Sequence, residues 1–325
     1  MERRDFHKLV VGSALGGCIA RTESGVAPVR RGQRVRELES VLRGVRSREG
    51  AGFPVRRPFP VAGVPQFDPF VLLDEMGPVD WPPGEAKGAP DHPHRGFETV
   101  TYVLRGAVEH RDSFGGRGLL GPGDVQWMTA GSGLVHSEMP PQSLVDAGGP
   151  MHGFQLWVNL PARQKWTRPR YQELSSRHIA RDQTSDGRST VRVIAGRALG
   201  ARGTTETHTP ISYHHWTLAP GADVRFDVPE EQRVALSVFG GSLRIGDGSA
   251  TADDGTFAVL GQGESVRMRC DASRSSPAEV LLLAGAPIGE PIARWGPFVM
   301  NTDAEIQQAV DDYRAGRMGT IPRSG

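Results

Sequence analysis

Thr99-Val100-Thr101-Tyr102-Val103-Leu104-Arg105-Gly106-Ala107-Val108-Glu109-His110-Arg111 is the stretch that decides the architecture. Its first six residues are β-branched or aromatic apart from one leucine, which predicts a strand. Arg105-Gly106 ends that strand in a sharp bend, and a second strand resumes at Ala107. The same pattern returns as Val234-Ala235-Leu236-Ser237-Val238-Phe239-Gly240-Gly241-Ser242-Leu243-Arg244-Ile245, with Gly241 lying 135 residues after Gly106. Gly121-Pro122-Gly123-Asp124-Val125 is echoed by Gly261-Gln262-Gly263-Glu264-Ser265-Val266, at an offset of 140. Two echoes in the same order predict one β-domain copied in tandem.

Composition agrees. A chain of 325 residues is long enough for about two domains, and its 42 glycines and 25 prolines suit short strands and tight turns better than long helices. The net charge of +1 disfavours nucleic-acid binding driven by overall charge. Nine arginines between Arg30 and Arg57 face only three glutamates. Their scatter reads as solvated strand faces and loops, not as a DNA-binding arm. No apolar run reaches the length of a bilayer span. With only Cys18 and Cys270 there is no thiolate set for a zinc or iron–sulfur site, so any metal must be held by His and carboxylate.

Residues 1–28 read as a leader. Arg3-Arg4-Asp5-Phe6-His7-Lys8 precedes a short, mildly apolar run from Leu9 to Ala20. This resembles a bacterial twin-arginine export signal and predicts a periplasmic destination; without such a signal the protein is cytoplasmic. Leu15-Gly16-Gly17-Cys18 also offers a lipoprotein-like box, with Cys18 as the lipidated residue. The remaining expected boundaries are a first β-domain over 29–163, a second over 164–300, and a helix with tail over 301–325. The polar stretch Ala162 to Arg170 reads as the linker. Thr302-Asp303-Ala304-Glu305 is a capping box opening a helix whose apolar stripe is Ile306, Ala309, Val310 and Tyr313, with Gly316 as its stop.

Two pairs carry the chemistry: His92-Pro93-His94 and His136-Ser137-Glu138. Side chains at i and i+2 of a strand share a face, so each pair presents both members together. If the two strands lie side by side, three imidazoles and a carboxylate converge on the interior of a barrel. That donor set suits a first-row transition metal and leaves positions open for substrate or dioxygen. Pro93 lacks a ladder donor, which predicts an edge or bulged strand. His110 points either to the metal face or to the surface. Adjacent His214 and His215 face opposite sides of a strand and cannot share an ion, so both read as structural. Ala130 breaks the serine-nucleophile pattern around Ser132, and no Gly-rich phosphate loop precedes a helix.

Asp91 to Tyr102, Gly121 to Gly131 and His136-Ser137-Glu138-Met139 closely resemble the pirin family, a bicupin branch of the cupin superfamily. Phe67 to Pro78, Gly153 to Pro161 and Gly296 to Thr302 look like that family too, so that the resemblance runs from about Arg34 to Gly316. It implies an all-β protein of two tandem cupin, jelly-roll type barrels facing each other, with a short C-terminal helix. It further implies one mononuclear metal, usually iron as Fe(2+), in the N-terminal barrel. The family's ligands carry over onto His92, His94, His136 and Glu138, the same four that the spacing selects. Glu98 stands where many other cupins, but not pirins, place a ligand.

In the second copy the matching regions fall near Pro229-Glu230-Glu231-Gln232 and Ser276, where no ligand pair exists, so that barrel is expected to be metal-free. The activity implied is that of a dioxygenase opening flavonols such as quercetin with O2 and releasing carbon monoxide, with Glu138 as the catalytic proton acceptor. Two alternatives accompany it: a non-catalytic, iron-dependent redox-sensing regulator that binds a protein partner, and an enzyme for another small aromatic or enolic substrate. The export signal argues against a nuclear role.

Overall fold

A computed structural model describes residues 32–64 and 66–322. The expected leader, with its arginine pair and Cys18, lies outside the described residues. Among them, strands dominate, and no helix is long and apolar enough to cross a membrane.

Each half of the chain forms a seven-stranded sheet backed by a four-stranded one. The first large sheet runs, in spatial order, Arg170–Leu174, Val125–Thr129, Phe97–Arg105, Gly149–Asn159, Phe70–Trp81, Phe53–Phe59 and Val45–Glu49. Its small partner runs Ala89–His94, Leu134–Met139, Val108–Asp112 and Arg117–Leu120. The second half repeats the plan, with Arg233–Gly240 and Ala278–Gly285 near the centre of its large sheet. The tandem barrels read from the repeats are therefore present.

Period-two alternation decides what each face of the first large sheet does. Along Phe97–Arg105, Val100 and Tyr102 enter a buried cluster shared with Tyr213, Phe257, Leu281 and Leu283 of the second half. The two large sheets thus pack face to face, and Phe257 sits against Phe59 with ring centroids 4.9 Å apart. Thr99 and Thr101, of the opposite parity, line the inside of the first barrel. Glu98 follows the parity of Val100: its buried carboxylate accepts from Thr129 Oγ1 at 2.7 Å.

The strands do not respect a cut at residue 163. Leu38–Arg43 pairs with Thr256–Leu260 of the second sheet, whereas Arg170–Leu174 pairs with Val125–Thr129 of the first. The linker reading fails for a related reason. Lys165, within that polar stretch, is buried, and its ammonium donates to Gly96 O, Asn159 Oδ1 and Val299 O at 2.8–2.9 Å. A polar residue with all three protons satisfied is cheap to bury, which composition alone does not reveal.

The arginine-rich start is also less solvated than its charge suggests. Arg36 is fully buried and donates to three backbone carbonyls, while Arg56 and Arg57 pair with Glu75 and Asp74.

The helix Asp303–Arg314 forms with its capping box intact, Thr302 accepting from Glu305 N. Its stripe differs from expectation at one end. Ala309, Ile306 and Val310 pack with Val135, Phe298 and Met318, but Tyr313 is 41% exposed. Asp312 takes the buried place instead and pairs with Arg95. The helix therefore closes on the first barrel, although it follows the second in the chain.

Candidate metal centre

Ala89–His94 is the edge strand of the small sheet of the first barrel, as Pro93 requires, and it pairs antiparallel with Leu134–Met139. His136 lies directly opposite His92, and the register slips between His136 and Glu138. The two strands thereby bring three imidazoles together. One ring nitrogen from each of His92, His94 and His136 lies within 4.8 Å of the others.

The tautomers show what this cluster accommodates. His92 Nδ1 donates to Pro90 O at 2.7 Å, and His94 Nδ1 to Pro297 O at 3.3 Å. In a neutral ring the other nitrogen then carries a lone pair. These Nε2 atoms face each other at 3.1 Å, and His136 Nε2 stands 2.9 Å from that of His92. Burial, and after it the neighbouring His92, hold His94 and His136 well below the usual imidazole range, so both are neutral. Converging ring nitrogens on rings whose Nδ1 donates to a backbone carbonyl, as in His92 and His94, are the arrangement that metal-binding histidines adopt; His136 Nδ1 is buried without such a partner among the described residues. The residues fit a transition-metal ion, held by His92, His94 and His136.

Glu138 does not join that group of three. Its carboxylate borders the same cavity but accepts from Thr101 Oγ1 at 2.5 Å and from Gln155 Nε2 at 2.6 Å. Gln155 in turn accepts from Trp157 Nε1 at 3.2 Å. Thr101, Gln155 and Trp157 all occupy inward-facing positions of their strands. Sequence reading passed over them because side chains that support a carboxylate carry no metal-ligand signature; strand parity was the available signal.

His110 lies inside the barrel, buried, with its ring 5.6 Å from that of His136 and 4.6 Å from Tyr171. Burial outweighs the nearby Glu138 and Asp112 and lowers its pKa. His214 and His215 do diverge, but only His214 is enclosed within the second barrel. His215 instead faces the other half of the molecule and accepts from the Tyr102 hydroxyl at 2.8 Å.

The histidines open into a cavity of about 550 Å³ with Phe53, Leu72, Met76 and Trp157 among its walls. The Arg294 guanidinium, also at this cavity, sits 5.0 Å above the Trp157 ring. A pocket of this size, whose aromatic and aliphatic walls alternate with charged groups such as Arg57, Asp74 and Arg294, suits a small molecule with both flat and polar parts.

Residues 52–158 match the family described as Pirin, and residues 213–319 match the Pirin C-terminal cupin domain. Human Pirin is 42% identical over 274 residues, covering 83% of this chain and 90% of that protein. The chain belongs to the pirin family. A Pseudomonas aeruginosa pirin relative provisionally named quercetin 2,3-dioxygenase is 42% identical over 270 residues, 82% of this chain and 93% of the relative. A crystal structure described as quercetin 2,3-dioxygenase from Acinetobacter baumannii matches this pirin with a TM-score of 0.83 at 36% identity, covering 89% of this chain and 100% of the other.

Proposed function

We propose that this pirin is a metal-dependent dioxygenase that opens flavonols such as quercetin and releases carbon monoxide. The observation that carries the reading is the set of three imidazoles converging beside a cavity with aromatic and aliphatic walls, with a hydrogen-bonded carboxylate next to them. The names of the P. aeruginosa and A. baumannii proteins support it.

In this reading His92, His94 and His136 hold the ion, and Glu138 either completes the set or stands next to it. When bound, a divalent transition metal, Fe(2+) here, supplies Lewis acidity at the substrate oxygens and the redox chemistry for dioxygen. The chain's own residues do the rest. Phe53, Leu72 and Trp157 seat the flat rings and exclude water. Glu138, oriented by the Thr101 hydroxyl and the Gln155 amide, takes the proton of the 3-hydroxyl on a carboxylate oxygen. Deprotonation enriches the ring in electrons where oxygen must attack.

The test is carbon monoxide release from quercetin by iron-loaded protein, alongside metal analysis. Turnover by a wild type holding close to one ion per chain, lost together with the ion in His92→Ala, supports the proposal. Fully loaded protein that leaves quercetin intact overturns it, and redox-dependent capture of a protein partner in that case favours the regulator.

A further inference from the structure

A second cavity, of about 840 Å³, lies between the two halves, away from the three histidines. One wall comes from the first barrel, with Tyr102, Leu104, Arg105, Pro122 and His152; the other comes from the second, with Arg181, Arg192, His215, Phe239 and Glu279. Its volume falls within the range of small-molecule sites.

The charges in it are unevenly satisfied. Arg181 and Arg192 are direct cross-strand partners on Ala180–Gln183 and Ser189–Ala195. Like charges placed opposite each other destabilise a sheet unless something lies between them. Among the described residues, neither of them nor Arg105 has a carboxylate within ion-pairing distance, although Arg181 Nη2 donates to Ser176 O at 2.8 Å.

The two acids at the cavity are already engaged. Asp182 accepts from Gln183 N at 2.8 Å and Gly200 N at 2.7 Å. Glu279 accepts from His215 Nε2 at 2.7 Å and Thr217 Oγ1 at 2.9 Å. The far end of that chain is Tyr102, whose hydroxyl donates to His215 Nδ1 and lies beside the Arg192 guanidinium. Gly123 has a φ of +86°, and a Cβ there would meet Arg192 Nη1 at 2.8 Å, so the Gly121-Pro122-Gly123 turn keeps the guanidinium's place open. Leu104, Pro122 and Phe239 supply an apolar surface next to these cations.

We propose that this cleft is a second binding site, for a small aromatic carboxylate, with the carboxylate held by Arg181 and Arg192 and the ring against Leu104, Pro122 and Phe239. Guanidinium pairs bind carboxylates bidentately. The Tyr102–His215–Glu279 chain fixes the polar floor and joins strands of both barrels, so the ligand contacts both halves at once. The site is independent of the metal centre and of the activity proposed for it.

Calorimetric titration of the full chain with benzoate tests this, using benzamide and inorganic phosphate as comparison probes. The expected result is saturable one-site binding, unchanged in metal-free His92→Ala and at least tenfold weaker in both Arg181→Gln and Arg192→Gln. The arginine variants are expected to keep or exceed the wild-type thermal midpoint, since each removes one of two facing like charges. Benzamide is expected to bind at least tenfold more weakly than benzoate. Absence of saturable benzoate binding overturns the proposal, as does equal affinity in the arginine variants. Loss of binding in His92→Ala would place the ligand at the metal instead and also overturn it. Phosphate binding as tight as benzoate would overturn the aromatic assignment, because an inorganic ion has no ring to bury.

Discussion

Arg95 Nη1 and Asp312 Oδ2 lie 2.6 Å apart, joining the residue after His94 to the C-terminal helix across 217 positions of sequence. Both side chains are largely buried, and Asp312 also accepts from Gln308 and Arg317. The pair ties the end of the chain to the strand that carries two of the clustered imidazoles.

Removing Asp312 leaves the buried Arg95 guanidinium without its carboxylate, its Nε still donating to the Ser132 carbonyl. Asp312→Ala is therefore expected to destabilise the protein by about 3 kcal/mol, read as a lower urea midpoint. Replacing both, as Arg95→Met with Asp312→Leu, is expected to recover most of that loss. Equal stability of the single and double variants would refute the coupling.

Glu138→Gln separates holding a metal from moving a proton. Three imidazoles remain, so metal content after loading is expected to persist, while quercetin turnover falls by roughly 10²–10⁴, the usual contribution of a positioned base. Metal analysis and carbon monoxide release on one preparation check both halves. Full turnover in the variant would remove Glu138 from the mechanism.

Burial pushes the Glu98 carboxyl up from 4.5 to about 7, against the weaker pull of Thr129. Below pH 4.5 the folded and unfolded forms are both protonated and the group contributes nothing. As pH rises from 4.5 to 7 the unfolded chain ionises first, so folding loses stability through that window and the loss levels off above it. Glu98→Gln is expected to raise stability by on the order of 2 kcal/mol at pH 8 and to leave it unchanged at pH 4, measured by denaturant titration at each pH. A variant equally or less stable at pH 8 contradicts this.

Phe257 lies between the two large sheets, against Phe59 and Phe67. Truncation to alanine there is expected to cost about 3–5 kcal/mol, the usual price of a large aromatic cavity. Thermal unfolding of Phe257→Ala checks it; a shift comparable to a surface substitution would mean that the sheets do not depend on this contact.

The arginine pair at positions 3 and 4 is proposed to direct export. Replacing Arg3 and Arg4 together by lysine is expected to keep the folded protein in the cytoplasm of a bacterial host, as followed by cell fractionation. Unaltered periplasmic delivery would rule out the twin-arginine reading.

Much was legible from local patterns. Thr99 to Leu104 announced a strand through side-chain shape, the glycine echoes announced a second copy, and His92 with His94, and separately His136 with Glu138, announced a shared face through i, i+2 spacing. Thr302 and Glu305 announced a helix start because a capping box is made within four residues. These features depend only on neighbours in the chain.

What the sequence determined by itself was therefore the all-β repeat and the two pairs, His92 with His94 and His136 with Glu138, because strand periodicity translates spacing directly into facing. Only the tertiary structure decided that Leu38–Arg43 joins the far sheet, that Asp312 displaces Tyr313 from the packed stripe, that Lys165 is buried, and that Glu138 is held by Thr101 and Gln155. Each of those outcomes rests on a hydrogen-bond or ion-pair partner in another strand or helix, or on a distant carbonyl. Such partners are chosen by how sheets stack and chains return, and no local pattern encodes them.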